Sequence, residues 1–175
     1  MRTVDETTDQ TAPSLAQRLV YGRNPTWTFV RVIIWIVLLV AGSQFVLRPV
    51  RVQGISMLPT YQDGRVNLVF RWAYKFRDPA RYDVVAIRLA GEHVMFLKRI
   101  IALPGETVAF HDGKAFVNGQ HLDEPYLKLP SNWERAPVRL GPDEYFVVGD
   151  NRSMPKEDHT FGKATRDRIV GKALL

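Results

Sequence analysis

The chain has no cysteine. That removes a disulfide framework, a thiolate zinc site and a cysteine nucleophile, and it leaves the compartment undecided, because redox logic neither demands nor excludes export. Metal ligation is no better supported. The four histidines, His93, His111, His121 and His159, are scattered without ligand spacing and read as surface or turn residues. No metal and no cofactor is expected. A long basic run is also missing. The 24 Lys and Arg outnumber the 18 Asp and Glu, but residues 1–31 hold four Arg against three acids while 48–175 hold twenty basic against fifteen acidic side chains. So thin an excess suits nucleic acid and anionic lipid alike and selects neither. There is no internal repeat and no low-complexity tract. The 175 residues, 46% of them hydrophobic, allow one ordinary domain and an accessory segment.

One long apolar run is present. From Trp27 to Leu47 the chain reads WTFVRVIIWIVLLVAGSQFVL, and a helix of about 21 residues rises ~30 Å, the thickness of a bilayer's hydrocarbon core. Its one charge, Arg31, lies about a turn from the start and can snorkel to the interface, where Trp27 also belongs. A core helix apolar on every face would need packing partners that the rest of the chain does not offer. A cleaved signal peptide would have a shorter apolar core and a shorter leader, although Ala41-Gly42-Ser43 resembles a cleavage site. The segment reads as an uncleaved transmembrane signal anchor over 27–47. Residues 1–26, rich in Thr, Asp and Gln and containing Pro13 and Pro25, read as a flexible tail. Arg18, Arg23 and Arg31 before the span face Arg48 and Arg51 after it, so charge does not decide orientation.

Beyond Arg48 the pattern changes to short β-branched runs between turn residues: PVRVQG, RVNLVF, YDVVAIRL, HVMFLKRIIAL, TVAFHD, KAFVNG, EYFVVGD and RIVGKAL. This predicts a mainly β domain. Asp112-Gly113 and Asn118-Gly119, each flanked by apolar runs, predict tight hairpins and a small antiparallel meander over Thr107–Leu122. The proline-rich stretch Asp123–Pro142 reads as a long excursion over the surface.

Three segments could carry chemistry. In Gly54-Ile55-Ser56-Met57-Leu58-Pro59-Thr60 a serine precedes an X-Pro turn and follows a glycine that permits close backbone approach. Alone, such a serine more often satisfies its own turn. Lys98 sits in the apolar strand-like run Phe96-Leu97-Lys98-Arg99-Ile100-Ile101, where burial would depress its pKa until the neutral amine could act as a base. Gly149-Asp150-Asn151-Arg152-Ser153-Met154-Pro155, running to Phe161-Gly162, reads locally as a polar loop after a strand.

In this order and after one apolar span, the three segments closely resemble the boxes of type I signal peptidases over most of residues 27–175. Ser56-Met57-x-Pro59-Thr60, Lys98-Arg99 followed by Leu103-Pro104-Gly105, and Gly149-Asp150-Asn151-Arg152 match in turn, with Val117-Asn118-Gly119 and Glu124-Pro125-Tyr126 as secondary features. The resemblance implies a Ser–Lys protease with Ser56 as nucleophile and Lys98 as general base and later acid. It further implies backbone oxyanion donors at Ser56 and Gly54, and structural pairing of Arg99 with Asp150. The fold implied is an antiparallel β catalytic domain over 48–175 with a smaller β insertion at about 107–142. The partners implied are secretory preproteins, the lipid bilayer and, indirectly, the secretion machinery, but no nucleic acid. The location implied is the cytoplasmic membrane, crossed once, with the N-terminus cytoplasmic and the catalytic domain outside. Ile55, Met57 and Leu97 are candidates for shallow pockets that accept small substrate side chains.

The chain also departs from that pattern. Gly54 stands where some members carry an oxyanion-assisting serine. Pro155, Glu157 and His159 stand where many place Ser, Asp and Arg near the lysine. Ser153 could replace the missing hydroxyl, or Lys98 could be held by backbone and packing alone. Self-cleaving repressors share the Ser–Lys pair but carry a DNA-binding domain in place of an apolar span. A conjugation-associated processing peptidase is a nearer alternative. The aromatic-basic stretch Arg71-Trp72-Ala73-Tyr74-Lys75-Phe76-Arg77 leaves open a non-enzymatic membrane-surface module.

Overall fold

The computed structural model describes residues 25–88, 95–158 and 162–174, apart from the side chains of Pro25, Thr26 and Gln44. Most of the expected N-terminal tail, together with His93, His159 and Phe161, lies outside the described residues. The chain divides into two compact units, 1–44 and 45–175.

The described part of the first unit is helix α1, Pro25–Val46, whose last two residues already belong to the second unit. Its large apolar side chains, among them Phe29, Trp35 and Leu39, are exposed around the whole circumference. Among the described residues, no helix is long and apolar enough to cross a membrane.

The second unit is mainly β and antiparallel throughout. Its larger sheet has seven strands in the order β1-β2-β11-β3-β4-β9-β10. These are β1 (Leu47–Arg51), β2 (Val66–Phe70), β3 (Val84–Arg88), β4 (Met95–Ala102), β9 (Glu144–Val148), β10 (Gly162–Thr165) and β11 (Ile169–Leu174). The smaller sheet, in the order β7-β6-β5-β8, comprises β5 (Thr107–His111), β6 (Lys114–Val117), β7 (Gln120–His121) and β8 (Arg135–Arg139). Positive φ at Asp112 and Gly113, and again at Asn118 and Gly119, makes the two tight turns of the predicted meander.

One expectation needs correction. The surface excursion at 123–142 contains a strand, β8, which pairs with β5. Pro137 is tolerated because β8 is the outermost strand of its sheet and need not donate on both sides.

Cores lie on both faces of the larger sheet, which is why β3 reads as a continuous apolar run rather than an alternating one. One cluster joins Met57, Tyr61, Val69, Val84, Ala86 and Leu97, and another joins Tyr74, Val85, Ile87, Ile100 and Val147. A third cluster holds Val108, Phe110 and Trp133 from the 107–139 region against Ile101, Phe146 and Val148 of the larger sheet. The strand carrying Lys98 is thereby fixed by packing as well as by its ladder.

Candidate active site

The turn that carries Ser56 is built from its base. Val52 N–H donates to Arg65 O at 2.8 Å and Gly64 N–H to Val52 O at 2.9 Å, which closes the loop between β1 and β2. Gly54, at φ +95°, occupies the left-handed region that favours glycine, and its N–H donates to Asp63 Oδ1 at 2.9 Å. Leu58 N–H donates to Ile55 O at 3.1 Å and Tyr61 N–H to Met57 O at 2.9 Å. Ser56 therefore sits on a tight, internally bonded turn whose next side chain, Met57, is 1% exposed.

Lys98 comes from the middle of β4. It pairs with Val85 of β3, and its neighbour Arg99 pairs with Val148 of β9. Its Nζ lies 2.7 Å from Ser56 Oγ, although 42 residues separate the two. The residue is 2% exposed, and burial pushes its pKa down to about 8, against the opposing pull of the Asp150 charge. The two side chains form an amine–hydroxyl pair, with the amine desolvated enough to lose its proton around pH 8.

The loop after β9 locks these elements together. Arg99 grips Asp150 through Nε to Oδ1 at 2.8 Å and Nη2 to Oδ2 at 2.6 Å, a bidentate ion pair. Thr60, from the serine turn, donates to Asp150 Oδ2 at 2.6 Å. Tyr126 lies over the Arg99 guanidinium, 3.9 Å from ring centroid to Cζ. Arg152, wholly buried, pairs with Glu124 at 2.6 Å and donates through Nε to Gly149 O at 2.9 Å. Asn151 donates from its backbone to Ser56 O at 2.9 Å and from its side chain to Ile55 O at 3.0 Å.

The structure thus brings Ser56, Lys98, Arg99 and Asp150 together. Ser153 does not reach the amine: its hydroxyl donates to Asn151 Oδ1 at 2.6 Å. The Gly54 N–H, expected as an oxyanion donor, is occupied by Asp63. Met57 and Leu97 line a crevice beside Ser56 together with Val52, Gly54, Met95 and Phe96, whereas the Ile55 side chain is 49% exposed and does not line it. The crevice holds about 10 Å³, the space of a single water-sized sphere. Sequence reasoning missed Thr60, Asn151 and Glu124 as site-holding residues. Glu124 and Asn151 were visible within the motifs, but no local signal shows what they bond. Among the described residues no group of His, Cys, Asp and Glu could hold a metal ion.

The pattern of the signal peptidase family, peptidase S26, matches residues 26–175. A probable signal peptidase I-2 of Synechocystis is 34% identical over 146 residues, covering 80% of this chain and 67% of its own. Signal peptidase I V of Bacillus subtilis is 31% identical over 157 residues, covering 82% and 93%. A solved signal peptidase I from Enterococcus faecalis, 27% identical, aligns over 55% of this chain and 97% of its own with a TM-score of 0.45. With a family pattern spanning all but its first 25 residues and relatives above 30% identity along most of their length, the chain is a peptidase that belongs to the signal peptidase family.

Proposed function

We propose that this chain removes N-terminal signal peptides from secretory preproteins, with Ser56 as nucleophile and Lys98 as general base. The carrying observation is the 2.7 Å contact between Lys98 Nζ and Ser56 Oγ at a lysine that is 2% exposed. The neutral amine takes the hydroxyl proton as Oγ attacks the scissile carbonyl carbon, and the Ser56 N–H stabilises the resulting oxyanion. Collapse of the tetrahedral intermediate breaks the C–N bond, and the Lys98 ammonium returns its proton to the leaving amine. Water, deprotonated by the same amine, then releases the signal peptide from the ester.

Two features support small side chains at the cut. The crevice beside Ser56 offers only about 10 Å³, which favours a small side chain over a bulky one. The edge of β4 over Met95–Lys98 pairs with β3 on one side and lies beyond the end of β9 on the other, so among the described residues it is free to accept an extended substrate as an added strand. A synthetic precursor with Ala at the cut site should be processed, and the same precursor with Phe there should not. Ser56→Ala should abolish processing in folded protein. Turnover by Ser56→Ala would overturn the assignment.

The anchor belongs to the same reading. Helix α1 has 22 residues and rises ~33 Å with Arg31 as its one charge. A single crossing of the cytoplasmic membrane by this helix, with the N-terminus cytoplasmic and 48–175 outside, would place the catalytic unit where translocated preproteins emerge. Protease added to intact spheroplasts should digest that unit. Digestion only after lysis would reverse the orientation.

A further inference from the structure

We infer that Asn151 is the positioning residue that aims and polarises the oxyanion-donating N–H of Ser56, and that Ser153 braces its amide. A trans peptide is planar, with its C=O and N–H on opposite sides. The Ile55 carbonyl and the Ser56 N–H belong to one such plane, so whatever fixes the first fixes the direction of the second. Asn151 Nδ2 donates to Ile55 O at 3.0 Å, and Leu58 N–H donates to the same oxygen at 3.1 Å, which uses both of its lone pairs. The following peptide is held in the same way, because Asn151 N–H donates to Ser56 O at 2.9 Å. One residue, 4% exposed, therefore grips both peptide planes that flank the nucleophile.

The amide cannot be turned over without cost. Ser153 Oγ donates to Asn151 Oδ1 at 2.6 Å, which leaves Nδ2 facing Ile55. A flipped amide would lose the bond to Ile55 O and set two carbonyl oxygens against each other, while the Ser153 hydroxyl, donor and acceptor alike, braces the amide from the other side. Hydrogen bonds to a peptide oxygen also strengthen the N–H of the same peptide as a donor. With the Gly54 N–H engaged by Asp63, that polarised Ser56 N–H carries more of the oxyanion charge. Ser153 thus does not replace the hydroxyl that Pro155 cannot offer to Lys98. The nearby Ser153 serves the nucleophile's peptide instead of the base.

This inference rests on the Ser56–Lys98 reading above, so Ser56→Ala is assayed beside every variant. The full-length protein in detergent is given a synthetic precursor with Ala at the cut site, and kcat and KM are measured across pH. Asn151→Leu keeps the size and the backbone N–H but loses the amide. Its kcat should fall roughly 30-fold, less than the loss of a whole oxyanion donor, with KM within about twofold. The apparent pKa near 8 should stay in place, because Lys98 is untouched. Ser153→Ala, at an exposed residue, should lose about fivefold in kcat, and Ser153→Thr should recover it. A purely structural role would lower thermal stability while leaving kcat of the folded protein intact. Wild-type kcat in folded Asn151→Leu, or a loss expressed only in KM or in the pKa, would overturn the inference. If Asn151→Leu does not fold, the Ser153 pair decides, and equal rates for Ala and Thr there refute it. Activity in Ser56→Ala would instead remove the reading beneath it.

Discussion

The proton of Lys98 is the most exposed part of the mechanism, and replacing the side chain tests it from two directions. Burial lowers the pKa from 10.5 to about 8. At pH 7.5 roughly one amine in four is then neutral, against about one in a thousand for a free lysine, a gain of some 240-fold in competent base. The rate should climb with pH through about 8 and level off above it. Lys98→Arg, which cannot shed its proton, should be as inactive as Lys98→Ala.

The same shift has a stability cost, at ~1.36 kcal/mol for each of the 2.5 units, or about 3 kcal/mol. A depressed lysine pKa means that the unfolded chain binds more protons between pH 8 and 10.5, so stability rises with pH across that window. The cost is fully present below 8, where the buried amine is charged. Lys98→Met, which removes the charge and keeps the volume, should therefore be more stable than the wild type by about 2–3 kcal/mol at pH 6, and the advantage should shrink towards pH 10.5. Denaturant titrations of the two proteins at pH 6 and pH 10 check this. A destabilised Lys98→Met at pH 6, or a Lys98→Arg that still turns over, would refute the reasoning.

Other perturbations follow from the same contacts. Arg152→Ala leaves the Glu124 carboxyl, 5% exposed, without its ion-pair partner and with only the Tyr126 hydroxyl among its described bonds, and should cost about 3–5 kcal/mol in urea unfolding. Gly113→Ala would put a Cβ 2.1 Å from Ser131 O at φ +72°, and should lose about 2–3 kcal/mol or shift the β5–β6 turn, visible as a drop in melting temperature. Replacing His111 or His121 by Ala should leave kcat within about twofold, because His111 pairs with the surface Glu134 and His121 packs edge-on to Phe116 in the smaller sheet, whereas Lys98 lies in the larger one.

Sequence reasoning found what short-range chemistry encodes. The strands that became β1 to β6, β9 and β11 carry β-branched runs between turn residues, and the two hairpin turns carry Asp-Gly and Asn-Gly because left-handed backbone selects those residues. Ser56 and Lys98 were singled out because the segments around them resemble the boxes of type I signal peptidases. The missed strands are those whose reason is tertiary. β8 is held by β5 despite Pro137 and β10 by β9 despite a glycine start, whereas the two-residue β7 follows the Asn-Gly turn of the expected meander.

The site's supports were hidden for a related reason. Asn151 and Ser153 bond to the backbone and to each other, and Asp63 takes a glycine N–H. Backbone carbonyls and amides are identical at every position, so no residue type announces which one a side chain will reach. The pairing of Arg99 with Asp150 was expected because the resemblance implied it, whereas a side chain that serves a peptide plane is visible only once the chain has folded. Where a nucleophile's own backbone supplies the oxyanion donor, the residues that tune it will be of this second kind. They should be sought among the bonds to the carbonyl that precedes the nucleophile, and in this chain that search ends at Asn151.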